Sequence, residues 1–413
     1  MNTSKIKKLV LLTLAVLISI GALAFNAHAI TTQAEWDAAY NKYYSTKTPW
    51  QSIDGAANDT QVWFSWHAHY WVRAYVSMAR TFGDSKYMDQ AVGLIDHMFS
   101  YTDEARAARR EIDLNATPYD NAPLQFLLNP GTPAPGWRIW VGGLNEWRNQ
   151  TLDDGMITQA IMRFVELVKS DPVKWSAYTN KADLYLSRCE NIASQHDSVY
   201  AAYRFANIDG SYYYPRPDGT GLYSGAVPLN HSATMAVTLL LIDKVKPGGA
   251  PAFRKKAEEI LGYFKNSLTL QNNNSYTWYY KPHSPGVQED FNHGHIDLDF
   301  LVAAYDNGLN ISAAEMTRFA NTYTKNLYKG NGEVAWTVDG LTANTSGNYV
   351  PAGFGWIDLT RFDPQVLEIS KEVYNAHAPN PSWARDMLGW AEILRWSNTA
   401  SAPQAPKALR IVQ

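Results

Sequence analysis

The chain has 413 residues, a formal net charge of −3 and a single cysteine, Cys189. That length can bury a large core as one domain or two, while one cysteine excludes an internal disulfide. The mild acidity argues against general nucleic-acid or anionic-membrane binding, and no CxxC pair or His-x-x-x-His spacing marks a zinc site, so neither metal nor cofactor is expected.

Residues 1–29 read as a targeting segment. Lys5, Lys7 and Lys8 precede an apolar run from Leu9 to Phe25, and Ala27-His28-Ala29 supplies a small-x-small cleavage pattern. Its removal takes three lysines and no acid, moving the net charge to −6. The expected protein is exported, periplasmic or secreted, with no stable membrane association after cleavage. Its 15 Trp and 25 Tyr fall largely in loop-like stretches. Such rings stack on sugars in many exported proteins, and they also fill cores.

The next predicted element is a helix over 33–44, where Trp36, Ala39, Tyr40 and Tyr43 share a face. After a loop containing Pro49, Gly55 and Asn58, a helix over 63–82, a tight Gly83-Asp84 turn and a helix over 85–99 form an αα-hairpin. The unit recurs at 154–194, 231–268, 294–328 and 363–397, each time with a short internal turn. The intervals are too uneven for a solenoid repeat. They suit an all-α fold, an (α/α) toroid of helical hairpins in which an inner ring is wrapped by an outer one. The toroid is expected over 30–398, with a tail from 399 to 413.

Connections between hairpins are long and rich in Gly, Pro, Trp and Tyr: 117–152, 205–230, 272–292 and 330–360. Long connections in compact folds tend to be functional. Each precedes the first helix of a hairpin, so in a toroid they gather on one rim. Ser211–Tyr214 and Glu333–Val338 read as short strands edging that rim. Candidate chemistry gathers there too. Trp66, His67 and Tyr70 open hairpin one, with Arg73 a turn beyond; Asp154 opens hairpin two, and Asn230-His231 hairpin three. The densest stretch is Gln288–Asp297, with Glu289, Asp290, His293 and His295 at the entry of hairpin four. Asp290 or Asn292 also reads as a helix N-cap. Tyr349, Trp356 and Arg361 precede hairpin five.

Helix N-termini favour anionic groups, and Arg73, Arg138, Arg148 and Arg361 are candidate sources of full positive charge. Such a rim suits an acidic polysaccharide. One fitting chemistry is β-elimination: Asn230 quiets the substrate carboxylate by hydrogen bonding, His293 removes the C5 proton, and Tyr349 protonates the departing O4, or makes both transfers if the proton and O4 leave from the same face. The other is inverting hydrolysis by two carboxylates, Asp154 with Glu289 or Asp290. A non-catalytic glycan-binding protein is a third reading.

The toroid pattern, the Asn230-His231 pair opening a middle helix, His293 downstream and Tyr349 beyond it resemble polysaccharide lyase family 38, whose members act on alginate or glucuronan. The resemblance implies a catalytic set of Asn230, His231, His293 and Tyr349, with His295 a rival of His293 as base. The family arginine shortly before the tyrosine has no counterpart in 341–348. Trp66, His67, Tyr70, Arg148, Asp154, Glu289, His295, Trp356 and Arg361 are expected to contact substrate.

Overall fold

The computed structural model describes residues 29–44, 63–109, 133–141, 146–203, 209–215, 222–282, 286–345 and 350–399. The targeting segment up to residue 28, the tail beyond 399, Tyr349 and the side chain of Arg148 lie outside the described residues.

Eleven long helices and one 3-10 segment carry the fold among the described residues. In chain order they are α1 (Gln33–Tyr44), α2 (His69–Phe82), α3 (Ser85–Phe99), α4 (Thr151–Ser170), α5 (Thr179–Gln195), α6 (Leu229–Val245), α7 (Pro251–Asn266), α8 (Phe291–Asp306) and α9 (Ala313–Asn321). The 3-10 segment Val350–Arg361 follows, then α10 (Gln365–His377) and α11 (Ala384–Thr399). A π-helical turn, Phe64–Ala68, leads into α2.

Packing divides these elements into two layers. α2 packs on α4, α4 on α6, α6 on α8, α8 on Val350–Arg361, that segment on α11, and α11 back on α2. The inner ring is closed. The other helices pack outside it, α3 on α2, α5 on α4, α7 on α6, α9 on the 3-10 segment, α10 on that segment and α11, and α1 on α11. The protein is an all-α (α/α) toroid. Sequence explains the division. Inner α6 is buried from Leu229 to Ile242, and α8 is buried over most of its length, its polar His295, Asp297 and Asp299 included. Outer α3 and α7 bury one stripe and expose the other.

Short turns join the inner elements before α11 to the next outer helix, as at Gly83, whose φ of +72° ends α2 in the left-handed conformation. The C-terminal halves of all six inner elements line one cavity of about 180 Å³, so the inner elements run the same way. Helix C-termini carry partial negative charge, and the cavity is lined with cations: Arg80, Arg163, Lys244, Arg361 and Arg395. Acids pair them, as in Arg80–Glu166 at 2.5 Å and Arg361–Asp306 at 2.5 Å. Higher in the ring, Arg73 makes a two-pronged ion pair with Asp299 at 2.5 and 2.8 Å.

The inner N-termini therefore share the opposite rim, where the long connections gather. Among the described residues these carry four small antiparallel sheets: β1 (Arg138–Val141) with β2 (Glu146–Asn149); β3 (Tyr200–Tyr203), β4 (Asp209–Pro215) and β5 (Leu222–Ala226); β6 (Thr269–Leu270) with β7 (Tyr276–Thr277); and β8 (Tyr328–Gly330) with β9 (Glu333–Val334).

The last hairpin departs from expectation. The helix starting near 363, α10, is an outer helix, and its inner partner is Val350–Arg361, expected as a loop. Two glycines explain both the misreading and the packing. A Cβ at Gly355 would collide with the His295 carbonyl oxygen, and one at Gly353 with the Phe291 ring. The residues that make this stretch look like a loop let it press against α8.

Candidate active site

The entry of α8 holds the centre of the site. Asp290 is its N-cap: one carboxylate oxygen accepts from the His293 backbone N–H at 2.8 Å. The other lies 2.6 Å from His293 Nδ1. Asp290 thus caps the helix and orients the imidazole. A carboxylate at Nδ1 holds the proton there and leaves Nε2 as the basic nitrogen, the tautomer being assigned from this network. The His293 side chain is 30% exposed, so the dyad opens to solvent.

Tyr280 ties the next helix to this dyad. Its ring lies 5.2 Å from that of His293, and its carbonyl accepts from the Leu229 backbone N–H at the start of α6 at 3.2 Å. Asn230 and His231 follow in the first turn. Asn230 is fully buried, and neither its amide nitrogen nor its oxygen has a hydrogen-bond partner among the described residues. A buried amide left unsatisfied is costly, and one at a rim is poised for a ligand. His231 Nδ1 pairs with the Tyr214 hydroxyl at 3.1 Å. Burial, then the neighbouring His293 and Lys281, pushes its pKa down to about 3. His231 is a neutral hydrogen-bonding group rather than a base.

Behind the dyad, Glu289 and Asp297 are both fully buried and face one another. Asp297 accepts from Trp278 Nε1 at 2.9 Å, and Glu289 from the Asp290 backbone N–H at 3.0 Å. Burial raises both carboxyls above the usual range, and the Asp297 and Asp290 charges raise Glu289 further. Two buried carboxyls in contact cannot both ionise, so the pair shares a proton. Glu289, Asp290 and His293 also offer ligand atoms within 4.8 Å of one another, the one such group among the described residues.

Several expected contact residues have other work. Asp154 is buried and saturated: it accepts from Trp137 N–H at 3.0 Å and Gln195 Nε2 at 2.7 Å, and meets His196 Nε2 at 2.8 Å. It binds the connection around Trp137 to α5 and is not open to substrate. Trp356 is buried, donates to the Phe291 carbonyl at 3.1 Å and stacks on Phe291 at 5.8 Å. Arg361 stands in the cavity at the far end of the ring. Arg73 is locked to Asp299, and Arg138 to Asp103 at 2.8 Å. Buried ion pairs of this kind are structural commitments.

His295 and Tyr70 lie below the rim. His295 is buried 4.3 Å from the Phe354 ring, itself 5.2 Å from that of Tyr70. Burial lowers the His295 pKa to about 3, with Asp299 opposing and Arg73 reinforcing the shift. Glu289, also expected at the substrate, is fully buried. Trp66 and His67 are half-buried in the π-helical turn at the mouth of α2. Sequence reasoning missed Tyr214 and Tyr280. The alternation of the Ser211–Tyr214 strand marks Tyr214 only once the facing helix is known.

No family model matches this sequence, and no curated protein matches it. Among solved structures the chain is similar to "Glycosyl hydrolase family 88 from Bacteroides vulgatus", at 11% identity over 87% of this chain and 99% of that one, with a TM-score of 0.38.

Proposed function

We propose that this protein is a glycan-cleaving enzyme that breaks a uronic-acid-containing polysaccharide by β-elimination. The observation that carries the reading is the Asp290–His293 dyad, open to solvent and tied through Tyr280 to the unsatisfied Asn230 amide. In this scheme Asn230 donates to the substrate carboxylate, lowering the charge that builds as C5 loses its proton. Neutral His231, its Nδ1 accepting from the Tyr214 hydroxyl, donates its one N–H, at Nε2, to the same group. His293 Nε2 takes the C5 proton, and the Asp290 carboxylate stabilises the imidazolium that forms. Tyr349, designated by the family resemblance, protonates O4. Glucuronan and alginate are the substrates to try first, in the periplasm or outside the cell.

A second reading is hydrolysis. It is favoured by one observation, the raised and buried Glu289 carboxyl, a carboxylic acid next to the Asp290 carboxylate. With Asp154 engaged, that pair would have to supply both acid and base.

One assay separates the readings. Purified protein is given glucuronan, alginate, hyaluronan and pectate, and absorbance near 235 nm is followed beside a reducing-end count. Elimination produces a conjugated double bond and both signals rise together. Reducing ends without absorbance would establish hydrolysis, and neither signal would leave glycan binding. Tyr349→Phe and His293→Ala should each lower the 235 nm rate by about 10²–10⁴.

A further inference from the structure

Trp383 is the one aromatic among the large apolar side chains that stay well exposed in the described residues, at 48%. It stands just ahead of α11 on the rim that carries the dyad. Its backbone is pinned: Asp386 Oδ2 accepts from the Ser382 N–H at 2.9 Å and the Trp383 N–H at 3.1 Å. Pro379 and Pro381 stiffen the approach. The ring is therefore held at little further entropic cost.

Its neighbours are equally specific. His67 meets Trp383 at right angles with centroids 6.1 Å apart, and Trp63 meets His67 the same way at 5.0 Å. His67 projects from the π-helical turn Phe64–Ala68, a distortion that recurs at functional positions in helices. The Arg385 guanidinium lies 5.6 Å from the Trp383 centroid. A half-exposed aromatic ring with a guanidinium over it matches a sugar ring bearing a carboxylate.

We propose that Trp383, Arg385 and His67 form a distal subsite for a uronosyl residue of the polymer, away from the bond that is cleaved. The proposal rests on the uronic-acid reading above. α11 is two places round the inner ring from α8. With neighbouring helices about 9 Å apart, that is roughly 16 Å, several bonds along a chain and well beyond the reacting residue. Trp383 stacks on the ring face and Arg385 pairs with its carboxylate. The subsite makes affinity depend on chain length.

The test is calorimetric binding in a His293→Ala background, which keeps the ligand intact, using uronic-acid disaccharide and octasaccharide. The parent should bind the octasaccharide much more tightly than the disaccharide. Trp383→Ala should raise the octasaccharide Kd about tenfold, the scale of one stacking contact, and Trp383→Phe should recover most of that loss. Arg385→Gln should weaken the uronic-acid octasaccharide but not a neutral glucan octasaccharide. If Trp383→Ala binds the octasaccharide as tightly as its parent, the subsite is refuted and the uronic-acid reading stands. If the parent binds no uronic-acid oligosaccharide, both fall together.

Discussion

Asp290 does two jobs with two oxygens, and one substitution separates them. Oδ1 caps α8 through the His293 backbone N–H at 2.8 Å, while Oδ2 faces His293 Nδ1 at 2.6 Å. Asn is as good an N-cap as Asp, so Asp290→Asn keeps the first contact through its amide oxygen. At the second it presents an NH₂ group. That donor forces Nδ1 to accept and moves the imidazole proton to Nε2, the nitrogen that must take the substrate proton. Stability should then fall by less than about 1 kcal/mol, the typical worth of a cap. Turnover should fall by about 10²–10⁴, the scale of general-base catalysis. Asp290→Ala should lose both the rate and about 1 kcal/mol. The measurements are initial rates at 235 nm and urea unfolding for the three proteins. An Asp290→Asn enzyme within tenfold of wild type, folded and capped, refutes the dyad as the base.

Asp153, buried in the first turn of α4, has its pKa pushed up to about 7 by burial, with Asp154 adding and Ser65 opposing. A raised folded pKa means stability that is present below the unfolded value, near 4, and lost as pH climbs through 7. Asp153→Asn should therefore gain on wild type between pH 4 and pH 8, by at most about 4 kcal/mol, since each tenfold change in proton affinity is worth about 1.4 kcal/mol. Urea-unfolding stabilities of the two proteins that run parallel across that range would contradict this. Activity should survive chelation. A loss with EDTA that one divalent metal restores would instead make Glu289, Asp290 and His293 ligands.

Much of the fold was legible because apolar periodicity and short turns are local properties. The hairpins of α2–α3, α4–α5, α6–α7 and α8–α9 lie where the spacing of Trp, Leu and Ile places them, and their first helices are the inner ones. The inner role of Val350–Arg361 was not legible. Gly353 and Gly355 signal loop by local propensity, and only contact with Phe291 and His295 turns their lack of a side chain into a packing device.

The same division holds for the site. Residue type and order nominate Asn230, His231, His293 and the acids around them as candidates, and the structure places them at the entries of α6 and α8. Which of those groups face solvent is a matter of ring closure. Asp154 and His293 look alike in sequence, each a polar residue at an inner helix start. Closure buries Asp154 under Trp137, Gln195 and His196, while Asp290 turns His293 outward. It also brings Glu289 against Asp297, eight positions on, and sets Tyr280 between α6 and α8. Proton sharing, burial and orientation depend on partners distant along the chain or reached by a turn of geometry that periodicity does not encode, so only the tertiary structure decided them.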